Sequence, residues 1–248
     1  MITVYKRELR ACLTRPEGWG VVAGLLFVAG LAVLLRNLLV GHAQIEYALL
    51  DACYVLPVAI PLLAMRSMSS DRKSGMDRFY RSLPLAPLSV VIGKYLALLS
   101  VFAIPCGVLC LCPVILRFFG TVSLASSYNA LLQFFLLGAV LIALCQLISS
   151  LTRHPAVAAA VGVGASAGLL LLPIVGALFS LIPVPTLSDW LYDFFGWLSP
   201  FTHFEENAAY GLFSVRSLVL YLSQIILFLL LTLRSLEARG KEGGARHA

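Results

Sequence analysis

The segment Gly164-Ala165-Ser166-Ala167-Gly168 matches the G-x-S-x-G pattern of a serine nucleophile. That chemistry needs a strained turn from strand to helix, which lifts the hydroxyl toward a base and an oxyanion hole. Here the pattern lies in a run of small apolar residues beside Gly162, so it points to close helix packing instead. A serine enzyme at membrane depth also needs a nearby histidine, and His42, His154 and His203 fall at the ends of apolar runs or beyond them. Replacing Ser166 by Ala is therefore expected to change little. Cys106, Cys110 and Cys112 gather three thiols, the first two sharing a helix face. Thiolates take soft metals, but no His or Met is placed to complete the set, and free cysteine is a common small apolar residue. His203, Glu205 and Glu206 bring three metal-binding groups together without the H-E-x-x-H spacing, which points to helix-end hydrogen bonding. Asp51 is an acid inside an apolar run, close to its start. The only Gly-Lys pairs, Gly93-Lys94 and Gly240-Lys241, are not followed by Ser or Thr, so the chain has no phosphate-binding loop of that type. No catalytic residue, no metal site and no cofactor of its own are expected.

The elements that position these groups are membrane helices. Hydrophobic residues make up 60% of the 248, charged residues 12%, and the mean hydropathy is +0.94. A soluble domain is about half apolar and about a quarter charged, which excludes a cytosolic enzyme and a disordered chain. Six cysteines in so long a chain are no disulfide framework. Six apolar runs, at 18–35, 47–65, 95–116, 129–151, 155–187 and 217–233, approach or exceed the roughly 20 residues that cross a bilayer. With both termini inside, 15 of the 18 Lys and Arg lie on the inner side, and only Arg36, Arg117 and Arg216 lie outside. The net charge of +6 is thus a topology signal and not a nucleic-acid footprint. It also suits an anionic lipid surface.

Between the runs the chain reads as a single transmembrane domain, 1–248, with four accessory pieces. Residues 1–16 form an amphipathic helix, with Ile2, Tyr5, Leu9, Cys12 and Leu13 on one face and Lys6, Arg7 and Arg10 on the other. The longest inner loop, 66–90, carries a cluster of Lys and Arg beside Phe79, Tyr80 and Leu83, with Gly75 and Pro84 as punctuation. By itself that charge is first of all what a loop on the inner side carries, and with its aromatics it also suits a docking helix for a cytoplasmic partner. Residues 183–216 hold an outer interfacial helix, with Ser188 as its N-cap, Asp189 and Asp193 on one face, and Trp190 and Trp197 among its aromatics. Residues 235–248 are an inner tail.

The sequence Asp71-Arg72-Lys73-Ser74-Gly75, then Pro84, then Gly93-Lys94 resembles the cytoplasmic loop of type-2 ABC exporter permeases. It departs from that pattern at Met76, Arg78 and Phe79-Tyr80. Leu198-Ser199-Pro200, His203-Phe204-Glu205, Gly211, Arg216, Tyr221-Leu222-Ser223 and the ending Leu231 to Glu237 look like the gliding-motility and nitrous-oxide-reductase-maturation branch, as does the start Tyr5-Lys6-Arg7-Glu8-Leu9. The resemblance implies an all-α integral membrane fold with six transmembrane helices, an N-terminal elbow helix and a re-entrant helical segment before the last span. It implies ATPase coupling through Asp71, Arg72, Lys73, Gly75, Arg78, Phe79, Tyr80 and Pro84, and an extracellular gate at His203, Phe204, Glu205 and Glu206. Its expected partners are an ABC-type ATPase subunit carrying ATP and Mg, a second permease chain, and membrane lipid. Its expected place is a bacterial inner membrane. The scarcity of charge deep in the runs favours an amphipathic cargo over an ion. Two rivals stand beside this reading: a mechanotransmission complex acting on a periplasmic partner, and an intramembrane enzyme using Ser166 or the cysteines.

Overall fold

The computed structural model describes residues 2–39, 44–73, 87–118, 123–179, 195–210 and 214–245, and these are helical throughout apart from short connections. Helix α1 (Ile2–Thr14) is the amphipathic segment. It ends because Arg15, preceding Pro16, takes an extended backbone (φ −89°, ψ 141°), and Pro16 opens α2 (Pro16–Val33). The Trp19 indole donates to the Leu13 carbonyl at 2.7 Å and fixes the corner. Helix α2 runs into a π-helical turn, Leu34–Leu39.

The second apolar run is not one straight helix, as Pro57 and Pro61 within it lead one to expect. It is α3 (Ile45–Cys53) and α4 (Leu56–Ala64), bent by 58° at Tyr54 and Val55, followed by α5 (Ser69–Lys73). Pro57 supplies the cause, since it lacks the amide that would continue the α3 ladder. There follow α6 (Pro87–Leu109) with the short α7 (Cys112–Leu116), α8 (Leu124–Leu151), α9 (Pro155–Phe179), α10 (Pro200–Tyr210) and α11 (Val215–Ala245). Among the described residues five helices are long and apolar enough to cross a membrane, and the bent pair, taken as one span, is a sixth. The chain is an all-α integral membrane protein.

Helix α8 is the axis of the bundle. It packs against α3, α4, α6, α9, α10 and α11, and 78% of its most apolar window is buried, against 17% for α9 and 28% for α2. Gly138 makes the central contact possible, because a Cβ there would lie 2.2 Å from the Phe102 ring. Phe102 thereby lies on α8 beside Phe134 and Phe135, and Phe134 meets Phe204 of α10 at a centroid distance of 6.0 Å.

Two helix-interior prolines are met by serines from other elements. Pro61 cannot donate to the Pro57 carbonyl, and the Ser166 hydroxyl of α9 lies 2.8 Å from that oxygen. Gly162, one turn earlier on α9, would bring a Cβ to 3.0 Å from the Pro61 side chain. Pro173 likewise frees the Leu169 carbonyl, and Ser199 donates to it at 2.9 Å. Ser166 is therefore more than a small residue in a packing face, and the expectation of a silent alanine there is corrected. Its hydroxyl lies 2.8 Å both from the Pro57 carbonyl, which has lost its helical donor, and from the Gly162 carbonyl of its own helix.

Candidate functional site

Groups that can carry charge or force collect at the two ends of the bundle. At the basic end the centre is Lys94 of α6, whose side chain is 1% exposed. Its ammonium donates to Glu8 of α1 at 3.1 Å, to Asp71 of α5 at 2.6 Å, and to the Ser67 carbonyl. Arg7 bonds Glu8 at 2.7 Å and lies 3.6 Å from Asp71. Two cations and two carboxylates thus tie α1, α5 and α6 into one node, and the pairing is what makes burial of an ammonium affordable. Burial pushes the Glu8 carboxyl up, but the Lys94 charge and Arg7 together outweigh it and hold the group below the ordinary carboxylate range. Burial, with the Glu8 charge adding to it, pushes the neighbouring Cys12 thiol up, so this cysteine stays protonated at neutral pH.

A second set of bonds joins the same segment to the central helix. Arg72 donates to the carbonyls of Ser150 (2.8 Å) and Thr152 (2.9 Å), which close the C-terminus of α8. The Ser149 hydroxyl accepts from the Met68 and Ser69 amides and donates to the Met65 carbonyl, each at 3.1 Å. Gln146 donates to the Val91 carbonyl at 2.9 Å, tying α8 to α6. The segment from the end of α4 to Lys73 is therefore fixed on two sides.

Of the residues assigned to that loop, Asp71 and Arg72 are half-buried and engaged within the chain, whereas Lys73 is exposed. Gly75, Arg78, Phe79, Tyr80 and Pro84 lie outside the described residues, as do Ser188, Asp189, Trp190 and Asp193 of the outer segment. Lys94, Glu8 and Ser149 were not singled out as a site by residue type alone. The signal was present in two fragments, Gly93-Lys94 and Arg7-Glu8, whose meeting across 86 positions only the fold supplies.

The other end is acidic. Arg36 holds Asp51 through two bonds, at 2.8 and 2.9 Å. Tyr54, at the bend of the second span, donates to Glu205 of α10 at 2.8 Å. Ser127 donates to the buried Glu46 at 3.2 Å. The four residues assigned to a gate all fall on α10, but they do different things. His203 donates to the Trp197 carbonyl (3.2 Å), Phe204 is fully buried on Phe134, Glu205 holds the bend, and Glu206 is exposed. Among the described residues no three His, Cys, Asp or Glu side chains are placed to share an ion. Cys106 is buried, and Cys110 and Cys112 are half-buried.

The model of one protein family, described as "ABC-2 family transporter protein", matches residues 43–234. That stretch takes in Asp71, Arg72, Lys94 and all of α10, and leaves α1 outside. No curated protein matches the chain.

Proposed function

The chain belongs to the ABC-2 family of transporter proteins, as a multi-pass permease of the ATP-binding-cassette kind, and from that premise we propose that it couples ATP hydrolysis by a separate ATPase subunit to movement of a substrate across the membrane. One observation carries this reading: the buried Lys94 node and the Arg72 cap fasten the root of the inner loop to the elbow helix, to α6 and to the central α8. A push on the loop would then move spans rather than deform a tether. In this reading Lys73, Arg78, Phe79 and Tyr80 meet the ATPase, Gly75 and Pro84 bound the docking helix, and Asp71 and Arg72 are the anchor beneath it.

ATP and Mg would sit on the partner, and two permease chains, alike or different, would form the membrane half of the complex. The 15-to-3 distribution of Lys and Arg supports cytoplasmic termini in a bacterial inner membrane. The direction proposed is export, with α10 and its His203 to Glu206 stretch as the outer gate. The ending from Leu198 to Glu237 supports the gliding-motility and nitrous-oxide-reductase-maturation branch.

The test is recovery of tagged chain from native membranes in mild detergent, followed by ATPase assay and identification of what travels with it. An ABC-type ATPase at equal copy number is expected, and it is lost from the double variant Lys73→Glu, Arg78→Glu while the permease stays monodisperse. A stable permease that never carries an ATPase overturns the reading. ATPase activity that follows an outer protein partner and no solute would replace translocation by transmission of force.

A further inference from the structure

Helix α11 begins at Val215, and positions 215, 216, 219, 220 and 223 recur on one of its faces. With Trp197 opposite, these residues line an open slot of about 280 Å³. Its walls are apolar apart from two residues. Ser223 directs its proton to the Leu220 carbonyl at 2.8 Å. Arg216 is exposed and, among the described residues, has no hydrogen-bond or ion-pair partner. Arg36, at the same end of the bundle, is by contrast locked to Asp51.

The place of the slot matters as much as its lining. Val215 is the first residue of the last membrane-crossing helix, so Arg216 stands at headgroup level. An exposed Trp197 beside it is the aromatic typical of that level. Below the slot the apolar surface continues down α11 through Leu222 and Ile226, both exposed.

We propose that this slot holds one anionic phospholipid, with an acyl chain along Val219, Leu220 and Trp197 and its phosphate paired with Arg216. The apolar walls give a free ion nothing to bind, and a neutral chain leaves the guanidinium unanswered. A phosphodiester answers both, because guanidinium and phosphate match in two parallel hydrogen bonds and the chain fills the slot. The permease then carries a resident lipid between Trp197, just ahead of α10, and the start of α11, independent of how ATP drives it.

The experiment is native mass spectrometry of the full-length permease released from mild detergent. The probes are phosphatidylglycerol, phosphatidylcholine with the same chains, and glycerol 3-phosphate, which has the phosphate but no chain. Phosphatidylglycerol is expected to be retained about tenfold better than phosphatidylcholine, because the choline cation cancels the charge of the same phosphodiester and opposes the Arg216 guanidinium. Glycerol 3-phosphate should not be retained. Arg216→Gln should bring the two lipids to parity with an unchanged melting temperature, since this side chain holds nothing among the described residues. Val219→Trp, which fills the slot from its exposed side, should lower retention of both lipids. Equal retention of the two lipids by the natural protein overturns the proposal. So does a preference that survives Arg216→Gln, or glycerol 3-phosphate held as well as the lipid, which would mean an ion site.

Discussion

Lys94 shows how much a single side chain can decide in this protein. An ammonium that is 1% exposed is tolerable only because Glu8 and Asp71 face it. Truncating it leaves two carboxylates without their main counter-charge, and loss of one member of a buried ion pair costs roughly 3–5 kcal/mol. Lys94→Met is therefore expected to lower resistance to chemical unfolding in detergent by about that amount. The triple variant Lys94→Met, Glu8→Gln, Asp71→Asn should regain much of the loss, because no buried carboxylate is then left alone. A single variant as stable as the natural protein would show the node to be incidental. Residue types alone disclose the basic loop and its Asp71-Arg72-Lys73 start. They do not disclose that the first two of these face inward and only Lys73 faces out, because that division depends on Arg7, Lys94 and Ser150 arriving from distant parts of the chain.

At the scale of elements, hydropathy locates every span, yet its limits and shape depend on groups that hydropathy does not count. The last helix continues past its apolar run, through Arg234, to Ala245. The fourth run begins at Leu124 and not near 129, because Ser127 and Tyr128 bond back to Glu46 and to the Cys110 carbonyl. The bend in the second span is legible as a proline, but what makes the neighbouring Pro61 tolerable is a serine on α9. That pairing gives a sharp prediction. Ser166→Ala should destabilise the protein by about 1–3 kcal/mol, the cost of an unmet buried carbonyl. In a Pro61→Ala background, where a main-chain amide again reaches the Pro57 oxygen, the same change should cost little. Additive effects in this double-mutant cycle would show that the hydroxyl serves only its own helix, through the Gly162 carbonyl at 2.8 Å.

For the molecule as a whole, the charge count and the hydrogen bonds divide the chain the same way. Residues assigned to the inner side from the 15-to-3 distribution meet at one end, and those assigned outside meet at the other. A sidedness prediction follows. With the natural cysteines replaced, Lys73→Cys should react with an impermeant maleimide only from the cytoplasmic face, and Tyr47→Cys only from the opposite face. Both positions are exposed, so failure to react is not a matter of burial. Labelling of both from the same face would overturn the span count. A bundle built around α8 also explains why its outer helices expose broad apolar surface: α2, α9 and α11 are where lipid or a second chain must lie.

The partners of two buried polar groups differ in when the ribosome delivers them. Glu8, Ser67 and Asp71 are all synthesised before Lys94, so the ammonium enters the membrane with its counter-charges already waiting. The Pro57 carbonyl must wait for Ser166, which is made 109 residues later. The second span therefore leaves the translocon with an unmet backbone oxygen and keeps it until the fifth span arrives. Halted chains that end before residue 166 should then hold that span loosely, and the nascent permease becomes mechanically whole only after its central helix and α9 are in place.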